Sequence, residues 1–117
     1  MIDREFFLGF IKIHILYHAA KEPVFGVEIA AELARHGYRL GPGTLYPTLH
    51  RMEKEGYLEQ SQRVVNGKVR KYYVITDEGK AILERASGKI RELVEEVLEG
   101  NDKMTDKKVG TEDESKK

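Results

Sequence analysis

The chain has 117 residues, 40% hydrophobic and 34% charged, which is enough for one compact domain with its own core. It contains no cysteine, which excludes disulfides and thiolate metal sites. Its 20 Lys and Arg residues balance its 20 Asp and Glu residues, which excludes a uniformly basic nucleic-acid-binding protein and leaves only a local basic patch.

The N-terminal segment predicts a buried helix over residues 4–21. Asp3 and Glu5 are wrong for the basic start of a signal peptide, and Lys12 interrupts a run too polar for a membrane span. Pro23 ends the predicted helix, because the residue before a proline is disfavoured in the α region. A helix that is apolar on most sides is typical of a core or an interface. We therefore expect a cytoplasmic protein with no membrane segment.

Two further helices are predicted close together. Residues 26–36 carry an apolar stripe, and Gly37 is suited to the C-cap. The third helix starts near the run Gly-Pro-Gly-Thr at 41–44, with a proline suited to a first turn, and ends at a glycine at position 56. Pro47 leaves two alternatives open: it kinks this helix, or the regular part begins nearer Thr44.

Residues 57–76 predict a β-hairpin. Two runs rich in β-branched and aromatic residues flank Asn66-Gly67, a strong hairpin signal. A two-residue loop fixes the register and places Arg63 opposite Arg70. One face is expected to pack on the helices at the hairpin base, and it carries Leu58, Val64, Val69, Tyr73 and Ile75. The other face carries Arg63, Lys68, Arg70 and Tyr72.

The last helix is predicted from Thr76 or Asp77 to about Glu99, because apolar residues recur there at spacings of three and four. The order helix, helix, helix, hairpin, helix predicts a mainly helical α+β fold, a winged helix-turn-helix with a C-terminal helix. We expect a DNA-binding domain over 1–76, a dimerisation helix over 77–99, and a disordered tail over 100–117. The tail has almost no apolar content.

The third helix divides into two sides on a helical wheel. Leu45, Leu49 and Met52 form one side and are expected in the core. The opposite side carries residues suited to contact base edges and phosphates: Gly43, Pro47, His50, Arg51 and Lys54, with Tyr46 on the flank. An ordinary solvated helix face is the alternative for this pattern.

The hairpin carries the local excess of positive charge. Residues 57–76 hold Arg63, Lys68, Arg70 and Lys71 against one acidic residue, Glu59. Like charges directly opposite each other destabilise a hairpin. A bound polyanion would remove that repulsion, so the basic face favours DNA binding. The alternative is that lysines protect an exposed sheet edge from aggregation.

The run GTLYPTLHRMEKEGYL, the basic hairpin and the run RKYYVITDEGKAIL resemble the PadR family of winged-helix transcriptional regulators. The resemblance extends over residues 8–99. It implies a homodimer, usually a repressor, on pseudo-palindromic double-stranded DNA, with the final helix serving dimerisation. Residues that stand where the family's recognition helix meets DNA are Thr44, Tyr46, Pro47 and Arg51. Residues that stand in its wing are Lys71, Tyr72 and Tyr73.

Two features depart from the usual family pattern. Met52 stands where leucine is usual, and a single C-terminal helix follows the hairpin, as in the short subgroup of the family. We expect dimerisation through the last helix assisted by the first, because the apolar stripe of residues 77–98 is too long for so small a domain to cover. The residues expected in this contact are Phe6, Phe10, Ile82, Ala86, Ile90, Leu93 and Val97.

No catalytic site or cofactor is predicted. The sequence has no Gly-rich phosphate loop after a strand and no serine nucleophile in a recognisable setting. His14 and His18 have a spacing that can hold a metal, but core or interface positions are the preferred interpretation. The competing function is a winged helix that serves as a protein-interaction module, with its wing docked on an acidic partner.

Four aromatic residues of the first helix leave an effector site open. Some members of the family bind flat aromatic molecules between the helices of the dimer, and such a pocket would be lined by Phe6, Phe7, Phe10 and Tyr17. Their spacing is equally that of a plain core, which is the preferred interpretation.

Overall fold

A computed structural model describes residues 3–100. The elements are α1 (Arg4–Lys21), β1 (Val24–Phe25), α2 (Gly26–Arg35), α3 (Pro42–Lys54), β2 (Leu58–Val65), β3 (Lys68–Ile75) and α4 (Asp77–Leu93), with π-helix over Val94–Leu98. The predicted mainly helical winged-helix fold is confirmed.

The chain divides into two compact units between Glu84 and Arg85. Most of the predicted tail, residues 101–117, lies outside the described residues.

The core of the first unit brings together α1, α2, α3 and the base of the hairpin. The predicted inner side of α3 is confirmed, since Leu45, Leu49 and Met52 are at most 2% exposed. Ile11 and Ile15 of α1 belong to the same buried cluster. Burial of each such side chain contributes about 1.5–3 kcal/mol, so α3 is held firmly by its inner side.

Pro47 lies inside α3, which begins at Pro42. The first-turn position of Pro42 is favourable, because the N–H of a first-turn residue has no intrahelical acceptor. Pro47 cannot donate to the carbonyl of Gly43. The next residue adds a side-chain bond within the helix: the hydroxyl of Thr48 donates to the carbonyl of Thr44 at 2.8 Å. The helix therefore does not begin at Thr44, and Pro47 is accommodated within its second turn.

Gly56 ends α3 in the left-handed conformation, with φ of +90°. The Gly56 N–H donates to the carbonyl of Glu53, and the Tyr57 N–H donates to that of Met52, at 3.0 and 2.9 Å. These two bonds satisfy carbonyls that the helix end would otherwise leave without partners. The chain then turns directly into β2.

Thr76 joins the end of α3 to the start of α4. Its N–H donates to the carbonyl of Tyr57 at 3.1 Å, and its hydroxyl donates to the carbonyl of Gly56. The same hydroxyl accepts the N–H of Gly79 at 3.0 Å, which confirms the predicted N-cap. Gly79 lies so close to Tyr57 that an added Cβ would overlap the Tyr57 carbonyl oxygen.

The hairpin has the predicted register, with Arg63 opposite Arg70. Asn66 and Gly67 have φ of 52° and 78°, the left-handed conformations that a two-residue hairpin turn requires. The register follows from the turn, because a loop of fixed length determines which residues pair.

Strand β1 was not predicted from the sequence. It pairs antiparallel with β3, placing Val24 opposite Tyr73 and Phe25 opposite Tyr72. The sheet order is β1-β3-β2, so β3 is the central strand. The start of α2 is thereby attached to the hairpin by backbone hydrogen bonds.

Two expectations about the C-terminal half were wrong in detail. Val64 and Val69 do not pack on the helices but are 74% and 64% exposed, since the eight-residue strands extend beyond the core that covers Leu58 and Tyr73. The last helix does not stay α-helical to Glu99. It is α-helical to Leu93 and π-helical over Val94–Leu98, which changes the angular spacing of its apolar positions. Nothing in its described contacts explains this change.

Within residues 3–100, no helix combines the length and the apolar character that a membrane crossing requires.

Candidate nucleic-acid interface

The outer face of α3 is open to solvent along its length. Tyr46, Pro47, His50 and Arg51 are exposed, and Thr44 is half-buried. Near the start of the helix Gly43 adds no bulk, and an added Cβ would meet no other residue within 4 Å. Because the inner side is anchored in the core, this face is a rigid surface that carries an imidazole, a phenol and a guanidinium.

Tyr46 is positioned by a glycine of another helix. Its ring and hydroxyl lie directly over Gly26, the first residue of α2, and an added Cβ on Gly26 would overlap them. The helical wheel predicts Tyr46 on the flank of α3, but the sequence gives no sign of Gly26, because its contact with α3 depends on tertiary packing.

Arg51 occupies the edge of the outer face. It lines an open groove of about 850 Å³ between α3 and the start of α1, together with Thr44 and Pro47. Asp3 and Glu5 of the N-terminal end of the chain line the other side. Arg4 lies between these two acids and lines the groove as well, so Arg51 faces charges of both signs, whereas His50 does not line this groove.

The predicted cations of the wing, residues 57–76, do not all lie on one face. Side chains alternate between the two faces of a strand. Arg63, Arg70 and Tyr72 share one face, which we term the arginine face. Lys71 pairs with Gln62 on the other face, so the structure separates it from the arginines. Lys68, two residues before Arg70 in β3, lies on the same face as the arginines, as predicted, and is exposed beside the turn.

The two opposed arginines of the wing lie over different aromatic rings. The guanidinium carbon of Arg63 is 4.5 Å from the centroid of the Tyr72 ring, and that of Arg70 is 4.3 Å from the centroid of Phe25. The rings of Phe25 and Tyr72 meet edge to face at 5.5 Å. The negative faces of these rings offset part of the repulsion expected between Arg63 and Arg70.

The contact of Phe25 with the wing is not evident from the sequence. Phe25 lies in the two-residue strand between Pro23 and Gly26, and the only signal for it was an apolar pair after a proline. Nothing local to that pair indicates that it faces an arginine in the hairpin.

Aromatic residues of α1 are not all in the core. Phe6, Phe10 and Tyr17 are 73%, 42% and 50% exposed, so the preferred interpretation of a plain core is wrong for these three in the single chain. Phe7 is half-buried, with its ring 6.2 Å from that of Tyr38. The first unit therefore has an exposed apolar surface on α1.

The residues expected in dimer contacts differ in exposure. Ile82 of the first unit and Ala86 of the second are half-buried. Ile90, Leu93 and Val97 of the second unit are exposed apolar side chains.

The histidines of α1 lie beside the end of α2. The ring of His14 stacks on that of His36 with centroids 4.4 Å apart, and His18 Nε2 lies 3.8 Å from Glu32 Oε1. Burial lowers the pKa of His14, and the neighbouring His36 and His18 lower it further. Among residues 3–100, no three potential ligands are grouped where they could hold a metal ion.

The sequence and fold resemble those of known regulators. The model of the family described as the transcriptional regulator PadR-like family matches residues 15–85. The chain is 50% identical over 97 residues to the transcriptional regulator Rv3488 of Mycobacterium tuberculosis, covering 83% of this chain and 91% of that protein.

Solved structures share the arrangement of helices and hairpin. A PadR family transcriptional regulator from Eggerthella lenta is 30% identical with a TM-score of 0.70, covering 85% of this chain and 88% of that one. A PadR-like transcriptional regulator from Bacillus cereus is 34% identical with a TM-score of 0.68, covering 80% and 96%. In both, the similarity spans most of each chain.

Proposed function

The chain belongs to the PadR family of transcriptional regulators, and from that premise we propose that it binds DNA sequence-specifically. We infer that it acts in the cytoplasm as a homodimer on pseudo-palindromic operators and represses the genes they control. No catalytic role is part of the proposal.

The observation that carries the proposal is the outer face of α3. A helix whose inner side is buried and whose outer side is exposed over several turns is able to enter the major groove, which admits an α-helix. Tyr46 and His50 lie on that face and have the donors and acceptors that base edges require. We assign base contacts to these two residues and place Arg51 nearer the DNA backbone, because it lies at the edge of the face.

The wing supplies contacts of a different kind. Arg63, Lys68 and Arg70 carry charges that suit phosphates, which are the same in every sequence. We propose that they increase the affinity for operator and non-specific DNA alike. Lys71, on the other face of the wing, is assigned a weaker role in the same backbone contact.

The homodimer is proposed to form through the C-terminal helix, with α1 assisting. The exposed apolar residues Ile90, Leu93 and Val97 of the second unit, and Phe6 and Phe10 of the first, are the surfaces that a second copy would cover. Replacing Ile90 and Leu93 by Asp should give monomers in sedimentation experiments and greatly weaken operator binding. Wild-type monomers at micromolar concentration would contradict the dimer.

Removing residues 101–117 should leave dimerisation and DNA binding intact.

Selection of bound sequences from a random DNA pool tests the central proposal. We expect enrichment of a pseudo-palindromic site, and an affinity for it that falls steeply as salt rises. His50→Ala should weaken binding to the selected site by about 1–3 kcal/mol, because the variant removes a contact with a base. Its binding to random-sequence DNA should change little. Absence of enrichment, with only weak binding to all DNA, would favour the alternative of a protein-interaction module.

A further inference from the structure

The arginine face of the wing depends on a residue outside the hairpin. We propose that Phe25 is a positioning residue for DNA binding: its ring holds the guanidinium of Arg70 in the orientation that meets a phosphate. This inference rests on the proposed function and extends it to a residue that has no expected contact with DNA.

The contact between Phe25 and Arg70 leaves the donors of the arginine free. A guanidinium over a ring uses its flat face, whereas all its N–H groups point outward in its plane. The guanidinium carbon of Arg70 lies over the Phe25 ring, 4.3 Å from its centroid, and a flat-on contact at this distance would leave the edge of the guanidinium available. A phosphate can then accept two parallel N–H bonds from that edge, which is the strongest form of this contact.

Phe25 is itself fixed by the backbone. It pairs with Tyr72 in the sheet and forms the N-cap of α2, and its N–H donates to Glu28 Oε1 at 3.1 Å. A ring on such a support orders a long side chain before DNA arrives, so less conformational freedom is lost on binding. The half-buried Arg70 is therefore expected to contribute more than a freely moving surface cation.

The ring of Phe25 also supports Arg63, through its contact with Tyr72. Its edge-to-face contact with Tyr72 supports the ring over which Arg63 lies. Arg63 and Arg70 are directly opposed in the hairpin, so without the two rings their charges would drive the side chains apart. The arrangement presents two guanidinium groups on one face, each over its own ring.

Phe25 and the next residue link both surfaces proposed to bind DNA. Phe25 contacts Arg70 of the wing, and Gly26 accommodates Tyr46 of α3. The start of α2 is thus a common support, and a change at Phe25 should alter the wing without altering the outer face of α3.

The test measures binding of a labelled random-sequence DNA duplex as a function of NaCl concentration. Arg70→Ala should lower the slope of log affinity against log salt by about 0.9 for each phosphate that the variant no longer neutralises. Phe25→Leu keeps an apolar side chain but removes the ring, and should weaken binding by about 2- to 5-fold. Phe25→Tyr keeps the ring and should bind as the wild type does. Val27→Ala shortens an exposed side chain two residues away and is the matched control.

Two further variants separate positioning from folding. Arg70→Lys keeps the charge but loses the planar group, and should weaken binding about as much as Phe25→Leu. In the Arg70→Ala background, Phe25→Leu should have little additional effect, because the residue it positions is absent. The NMR signals of the Arg70 δ-protons should show an upfield ring-current shift that Phe25→Leu abolishes and Phe25→Tyr retains.

The outcomes distinguish this inference from the proposed function. If the wild type binds DNA and Arg70→Ala leaves the salt slope unchanged, the positioning role is wrong although DNA binding through α3 stands. If the effects of Phe25→Leu and Arg70→Ala add fully, Phe25 acts elsewhere and the inference is again wrong. If the wild type shows no salt-dependent binding to any duplex, both the inference and the proposed function fail.

Discussion

The outer face of α3 and the arginine face of the wing differ in what holds their side chains in place. Behind Tyr46 and His50, the opposite side of α3 is buried in the core. The distal wing has no core behind it, since even Val69 is largely exposed, and its Arg70 is held instead by the ring of Phe25. A helix face is thus fixed by burial of its reverse side, and a ribbon face by contacts along its surface.

This difference matches the two kinds of DNA contact proposed. Discrimination between bases requires donors and acceptors at fixed positions, which a core-anchored helix provides. Phosphate contacts tolerate small shifts, so a projecting ribbon is sufficient when its cations are partly ordered. We therefore expect damage to the core to affect both surfaces, and damage to the wing to affect only one.

The largest effect is expected for Leu49→Ala, which opens a cavity behind the outer face of α3. Leu49 is fully buried, so the free energy of unfolding should fall by about 2–5 kcal/mol. Val69→Ala removes an apolar side chain of the distal wing and should change that free energy by less than about 0.5 kcal/mol. Urea unfolding of both variants checks the contrast. Equal losses would show that the distal wing shares the core's stability.

The next effect is expected at the junction that both surfaces share. Gly79→Ala places a methyl group against the backbone carbonyl of Tyr57, which cannot move away as a side chain would. We expect a loss of about 1–3 kcal/mol in the free energy of unfolding. The matched control is Gly88→Ala, which meets no other residue within 4 Å and should stabilise α4 by about 0.5–1 kcal/mol. Thermal unfolding that moves both variants in the same direction would contradict this account.

Sequence periodicity predicts the α3 face well because the face belongs to one continuous segment. Leu45, Leu49 and Met52 recur at helical spacing, so the exposed side follows by elimination. The hairpin register follows in the same way from Asn66-Gly67, which lies between the strands it joins. In both cases, the determining residues are neighbours in the chain.

The support of the wing could not be predicted, because it comes from elsewhere in the chain. Phe25 and Tyr72 become neighbours only when β1 pairs with β3, and a two-residue strand has too few residues to show a period. Gly26 likewise gives no sign in the sequence that the ring of Tyr46 covers it. The separation of Lys71 from Arg70 follows from the alternation of a strand, and the predicted face of Arg63, Lys68, Arg70 and Tyr72 already left Lys71 out.

A smaller effect is expected when the support of Tyr46 is changed and the core is left intact. Gly26→Ala should displace the Tyr46 ring, whose outer end is the part that the new methyl group meets. We expect the preference for the selected operator over random DNA to fall by about 1 kcal/mol, the lower end of the range for a base contact. Random DNA should bind as before, since the wing is unchanged.

Competition binding with the two DNAs measures this preference. Gly9→Ala is the matched control, because it adds the same methyl group to an exposed position of α1 with no other residue within 4 Å. A parallel loss of affinity for both DNAs would show that Gly26 supports the wing rather than Tyr46.

The smallest effect concerns stability away from both surfaces, at the contact of His14 with the end of α2. Burial and the neighbouring His36 and His18 lower the pKa of His14 below its ordinary value of 6.5, so the unfolded chain binds a proton more readily than the folded one. The contribution of neutral His14 to the free energy of unfolding is therefore fully present above about pH 6.5. It is lost as the pH falls from there towards the lower pKa of His14 in the folded state.

His14→Gln removes the titrating group and should flatten the dependence of the unfolding midpoint on pH in that window. The comparison is made in urea at a series of pH values, with the wild type and the variant side by side. His50→Gln is the matched control, because this imidazole lies on the exposed outer face of α3 and not in the stacked pair. If His14→Gln and the wild type lost stability in parallel on acidification, His14 would not be the source of the pH dependence. Since neither Tyr46 nor Arg70 contacts this pair, operator binding by the folded protein should not depend on the substitution at His14.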